Sequence, residues 1–225
     1  MTLPKVIVLA TGKGGAGKSA LSRSLAAHFL TVRQTPAIVD ADPQMTISKR
    51  HKPDGPMGKV VVVSDPEAET VQSTIADLAE RHYPVIVDTA GFRNQTTIMA
   101  AIVADLVLIP LKPSSEDADE AIAMFDLIEE LNQTPERKGR PITALMVMTM
   151  TAPNTVIGRH IRKELETAGY PLLDAEIAQR VIFPELAIQG LAPSVVDSDS
   201  AAARDIARLA TELTKKVKAH GIKAA

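Results

Sequence analysis

The stretch Lys5-Val6-Ile7-Val8-Leu9-Ala10-Thr11-Gly12-Lys13-Gly14-Gly15-Ala16-Gly17-Lys18-Ser19 decides the reading of this chain. Its first half is short, apolar and β-branched, the pattern of a buried strand. Its second half fits the phosphate-binding loop pattern G-x-x-x-x-G-K-[ST]. Beyond it, Leu21, Leu25, Phe29 and Leu30 recur at helical spacing. A glycine-rich loop between a strand and a helix is the setting in which this pattern binds a nucleoside triphosphate. The glycines let backbone N–H groups converge on phosphate oxygens, and the helix N-terminus adds partial positive charge. Lys18 is expected to bridge the β- and γ-phosphates, and Ser19 to hold Mg2+ through its hydroxyl. Lys13 is a second lysine in the same loop. One phosphate site rarely needs two, so Lys13 is expected to reach a phosphate in a neighbouring subunit. Nucleotide binding and dimerisation would then be one event.

Outward from the loop, apolar strand-like runs alternate with helix-like segments. The strands are expected at Lys5–Thr11, Ala37–Asp40, Val60–Ser64, Val85–Asp88, Leu106–Pro110 and Ile142–Thr149. The helices are expected near Ser19–Val32, Glu67–Arg81, Thr96–Ala104, Ser115–Gln133, Thr155–Ala168 and Ser200–Val217. Strands buried on both faces with helices between them imply an α/β fold, a doubly wound, mostly parallel sheet with helices on both faces. Ligands of such sheets bind at the carboxyl ends of strands. With 225 residues the chain suits a single domain over 1–225. Asn132–Pro141, with Pro135 and Gly139, reads as a surface loop.

Two further strand ends are acidic. Asp40-Ala41-Asp42-Pro43-Gln44 places two carboxylates where one would support Mg2+ and the other would orient or deprotonate an attacking water. Val85-Ile86-Val87-Asp88 followed by Thr89-Ala90-Gly91 has the form of a second magnesium element, with Gly91 as a flexible point. Plain capping or turn roles for these aspartates are the competing reading.

Composition excludes several chemistries. The chain has no cysteine, so it has no disulfide framework, no cysteine-ligated cluster and no thiol nucleophile. The histidines (His28, His51, His82, His160, His220) are scattered without metal-ligand spacing. No signal peptide and no membrane-spanning run are evident, so a cytoplasmic protein is expected. The formal net charge of −2 means that DNA binding would need a local basic patch.

Together these motifs resemble the ParA/MinD group of deviant Walker A ATPases, and within it the small ParA partition proteins. The stretches that carry the resemblance are Lys13–Ser19, Asp40–Gln44, Asp88–Gly91 and Ala104–Pro110 with Pro113-Ser114. The resemblance implies ATP/ADP and Mg2+ as cofactors, bound by Gly12, Lys13, Gly14, Gly15, Ala16, Gly17, Lys18, Ser19 and Ala20. It implies catalytic roles for Lys13, Lys18 and Asp42: Lys13 crosses to the partner's nucleotide and Asp42 positions the hydrolytic water. Ser19, Asp40 and Asp88 would support the metal. It further implies an ATP-bound homodimer, nonspecific DNA binding, nucleoid association and a ParB-type or ribbon-helix-helix centromere-binding partner. Met45 stands where the family often has glycine, and Val147–Thr151 lacks the family's adenine-side Asn or Arg. With so short a lead before the first strand, the N-terminal DNA-binding extension of larger ParA proteins is not expected.

A basic C-terminal segment offers DNA contacts at Lys215, Lys216 and Lys218, with Arg204, Arg208 and Lys223, and Arg180 resembles a DNA-contacting arginine of the family. A solvated helix end is the plainer reading of those lysines. The tail after Val217 lacks a continuous apolar face, so the membrane-binding MinD branch is set aside. The alternatives are a ParA-like ATPase positioning another cargo, a nucleotide-gated dimer with incidental hydrolysis, and a phosphate-loop kinase or ligase of the dethiobiotin-synthetase type.

Overall fold

A computed structural model describes residues 4–91 and 94–219, with the side chains of 217–219 outside the described set. In chain order the strands are β1 (Val6–Thr11), β2 (Ala37–Ala41), β3 (Val61–Ser64), β4 (Val85–Gly91), β5 (Leu106–Leu111), β6 (Thr143–Thr151) and β7 (Leu172–Ala178). The helices are α1 (Lys18–Thr31), α2 (Val71–Arg81), α3 (Gln95–Ile102), α4 (Ser115–Asn132), α5 (Val156–Thr167), α6 (Ile182–Ile188), α7 (Pro193–Val196) and α8 (Ala201–Ala219).

Among the described residues the strands form a 7-stranded sheet in the order β3-β2-β4-β1-β5-β6-β7. Every pairing in it is parallel. Alternate residues of each strand feed opposite faces, as the two-residue period of a strand requires. Val6, Val8 and Ala10 of β1 join Val107, Ile109, Met146 and Met148 under α2 to α5, where Ile75, Met124, Ile128 and Ile161 close the layer. Ile7 and Leu9 join Ile38, Ile86, Leu108 and Val147 on the other face, covered by Leu21, Leu25 and Phe29 of α1 and Ile206, Leu209 and Leu213 of α8. The doubly wound, parallel expectation therefore holds.

The sequence reading omitted β7, α6 and α7. β7 is an edge strand in which Asp174 is exposed and Glu176 half-buried, so it does not read as an apolar run. Its backbone is held from α8: the Glu212 carboxylate accepts the N–H groups of Asp174 at 3.0 Å and Ala175 at 2.8 Å. The α2 helix begins at Val71, later than Glu67, because Asp65 accepts hydrogen bonds from the Thr70 and Thr74 hydroxyls and the Glu67 N–H and so holds the approach as a turn. The 132–141 segment is not wholly a surface loop. Arg137 is buried and donates to the carbonyls of Ile102 at 3.0 Å and Ala104 at 2.7 Å.

Candidate functional site

The sheet order sets β1, β4 and β2 side by side, so the phosphate loop and both acidic strand ends meet at one carboxyl edge. Gly15 and Gly17 have φ of +87° and +85°, backbone that only glycine adopts without strain. Gly17 is also the residue from which α1 starts. The space beyond the Gly12 Cα is taken by the Glu120 side chain of α4, so no larger residue fits there. Thr149 of β6 fastens the loop from the far side: its hydroxyl lies 2.9 Å from the Ala16 carbonyl and 3.3 Å from that of Leu111.

The two lysines of the loop behave differently. Lys18 is buried, and its ammonium donates to the Lys13 carbonyl at 3.3 Å, which folds the loop back on its own cation. Burial lowers its pKa, and Asp88 and Asp42 act in the opposite direction. Lys13 is exposed.

Asp40 and Asp88 are register partners on β2 and β4, and both are fully buried. Asp40 Oδ2 accepts the N–H groups of Ile47 at 3.0 Å and Ser48 at 2.7 Å, which fixes the chain after β2. Asp88 Oδ1 accepts the Ser22 hydroxyl at 3.0 Å. The second oxygen of each, Asp40 Oδ1 and Asp88 Oδ2, is buried without a partner. Burial pushes the Asp88 carboxyl from 3.8 to about 7; Asp40 adds to the rise, while the nearby Ser19 hydroxyl, the Ser22 hydrogen bond and the charge of Lys18 oppose it. Among the described residues no group of three His, Asp or Glu side chains converges as a metal cage. A Mg2+ here would take its ligands from phosphate, water and the Ser19 hydroxyl, and the two orphaned carboxylate oxygens suit the hydrogens of such waters.

Asp42 is half-buried, and its Oδ1 accepts the Gln44 N–H at 2.9 Å. Three residues on, Met45 has φ of 50°, so this turn takes a left-handed residue even without the family's glycine. The Asp42 carboxylate is thus held at the mouth of the loop within electrostatic reach of Lys18.

Beside the loop opens a cavity of about 430 Å³, lined among others by Ala20, Met150, Ile177, Gln179, Phe183 and Pro184. Sequence reasoning placed no base contacts; the end of β6 and the segment from β7 into α6 supply the walls. Ser22, Thr149 and Glu120 were also missed, because none belongs to a motif and each acts only through the tertiary fold. Arg180 is already engaged: its guanidinium makes contacts of 3.0 and 3.1 Å with Asp205 of α8. Lys215 and Lys216 lie exposed on α8. The Lys218 side chain and Lys223 fall outside the described residues. No helix among the described residues is long and apolar enough to cross a membrane.

Known proteins are similar to this chain in sequence and in fold. The chain is 28% identical over 185 residues to a ParA protein of Rhizobium radiobacter, covering 80% of this chain and 81% of that one. It is 25% identical over 189 residues to the maintenance of carboxysome distribution protein A of Halothiobacillus neapolitanus, covering 82% and 84%. Its fold superposes with a TM-score of 0.73 on the septum site-determining protein MinD of Pyrococcus horikoshii, solved with Mg-ADP, at 14% identity and 98% coverage of both chains. The family model described as the CobQ/CobB/MinD/ParA nucleotide binding domain matches residues 7–194, and this chain belongs to that family.

Proposed function

We propose that this chain is an ATP-hydrolysing positioning protein of the ParA type. It dimerises when ATP and Mg2+ are bound, holds nonspecific DNA, and moves plasmid or chromosomal DNA with a centromere-binding partner. The observation that carries the proposal is the contrast between its two loop lysines. Lys18 is folded into its own phosphate loop, while Lys13 is exposed at the same site. A single phosphate site rarely needs two lysines from one short loop. A dimer closing over two nucleotides does.

In this reading the amides of Gly14 to Ala20 and the Lys18 ammonium hold the triphosphate. Ser19, with Asp40 and Asp88 behind it, would hold Mg2+, whose charge would offset that of the phosphates. Asp42 orients water towards the terminal phosphate. Lys13 reaches the partner's nucleotide. Arg204, Arg208 and Lys215, all exposed on α8, offer a phosphate-binding face that salt would weaken.

Size analysis with ADP, ATP and a slowly hydrolysed analogue, with and without random-sequence DNA, tests this. ATP should produce a dimer that retains DNA at low salt. Lys13→Ala should lose that dimer while keeping monomeric ATP binding. A fully ATP-driven dimer of Lys13→Ala would remove the cross-subunit role. A second cargo stays in play because the carboxysome-distribution relative matches at an identity similar to that of the partition relative. A copurified partner separates the two. Turnover stimulated by a metabolite and indifferent to DNA would favour the dethiobiotin-synthetase type of enzyme instead.

A further inference from the structure

Arg23 sits one helical turn past Ser19 on α1 and is 3% exposed. It makes no hydrogen bond or ion pair with any described residue, and its Nε is sealed from water without an acceptor. A guanidinium stays charged in a protein and only donates. Burying one without hydrogen bonds is unfavourable. Its terminal nitrogens, unlike Nε, are not sealed, so they are the donors open to an acceptor that enters the cavity Arg23 lines. Asp88 and Asp40 act on it electrostatically without bonding to it, and Arg50 opposes them.

The place where Arg23 has room is the 430 Å³ cavity beside the phosphate loop. Gly17, Ser19 and Ala20 form its mouth; Ile177, Phe183, Pro184 and Ala187 form apolar walls. Its other guanidinium, on Arg180, is committed to Asp205, and the Thr149 hydroxyl is committed to the phosphate loop. A largely apolar cavity that borders a phosphate loop and is lined by a buried guanidinium without a protein partner suits a nucleobase, with its faces against the apolar walls and an acceptor edge towards the cation.

We propose that Arg23 is a nucleobase-reading residue whose guanidinium donates to an acceptor nitrogen of the bound purine. This rests on the nucleotide-binding reading above. It assigns Arg23 to selecting and orienting the base, with no part in the phosphate chemistry.

The test is equilibrium binding of ATP, 2′-deoxy-ATP and inorganic tripolyphosphate, each with Mg2+, to the wild-type chain, Arg23→Met and Arg23→Lys. Loss of one charged hydrogen bond weakens ATP and 2′-deoxy-ATP alike by about 10- to 100-fold in Arg23→Met. Tripolyphosphate affinity stays within about twofold by the same reasoning, because it carries no base. Arg23→Lys keeps a donor and recovers part of the ATP affinity. It also carries the comparison if Arg23→Met does not fold. Unchanged ATP affinity in Arg23→Met overturns the proposal. So does an equal loss on tripolyphosphate, which would mark a structural role, and so does a loss on ATP without one on 2′-deoxy-ATP, which would mark a ribose contact. A wild-type chain that binds neither ATP nor tripolyphosphate refutes the nucleotide site itself, a result distinct from all of these.

Discussion

Two buried carboxylates, Asp40 and Asp88, face each other across adjacent strands with one orphaned oxygen apiece. At the residue scale Asp88 gives the chain a pH dependence of its own. The Asp88 carboxyl is raised from 3.8 to about 7, chiefly by burial. Between about pH 4 and pH 7 the folded chain therefore keeps a proton there that the unfolded chain has released. Folding of the nucleotide-free protein gains from that proton in acid, and the gain drains away as the pH rises through 7. Asp88→Asn, which is neutral at every pH, should match the wild type near pH 4 and exceed it progressively up to pH 8. The difference at its largest is on the order of 4 kcal/mol. Chemical denaturation at a series of pH values measures it, and a difference that does not change with pH contradicts the assignment. The sequence located this pair by its motifs. It could not show that both side chains are fully enclosed, because burial depends on which strands become neighbours. Arg23 was illegible for the same reason: in the sequence it is one more polar residue on a helix, and its isolation exists only once α6 and the end of β6 are in place.

At the scale of elements, the loop's shape is shared between α1 and a strand more than a hundred residues away in sequence. The Thr149 hydroxyl joins β6 to the Ala16 carbonyl. Thr149→Val keeps the shape of the side chain and deletes the donor. It should lower stability by about 1 kcal/mol and weaken ATP binding several-fold through a looser loop. Denaturant unfolding and an ATP titration read the two effects. A stability loss without an affinity loss would mean that the loop holds its shape unaided. Elements were legible where hydrophobic periodicity was strong: β1, β4, β5, α4 and the buried face of α8 fell within a few residues of expectation. β7 was not, because an edge strand carries charges on its wetter face, and short α6 and α7 offer too few turns for a period to show.

Across the whole molecule, alternation of strands and helices announced a parallel sheet, but it did not give the strand order. The placement of β4 between β1 and β2 is what brings Asp88 beside both the phosphate loop and Asp40. The chain also presents its basic α8 residues on a helix tied to the cavity wall by Arg180–Asp205.

The hold of Glu212 on two amides of β7 has a consequence for how copies of this chain can associate. An open strand edge is a template onto which another chain can zip, and runaway stacking follows when nothing blocks it. Glu212 occupies donors that such a guest strand would need. Glu212→Ala should convert this quiet border into an adhesive one. Light scattering on concentrated, nucleotide-free protein should then rise with time, and thioflavin fluorescence with it, while wild-type samples stay clear.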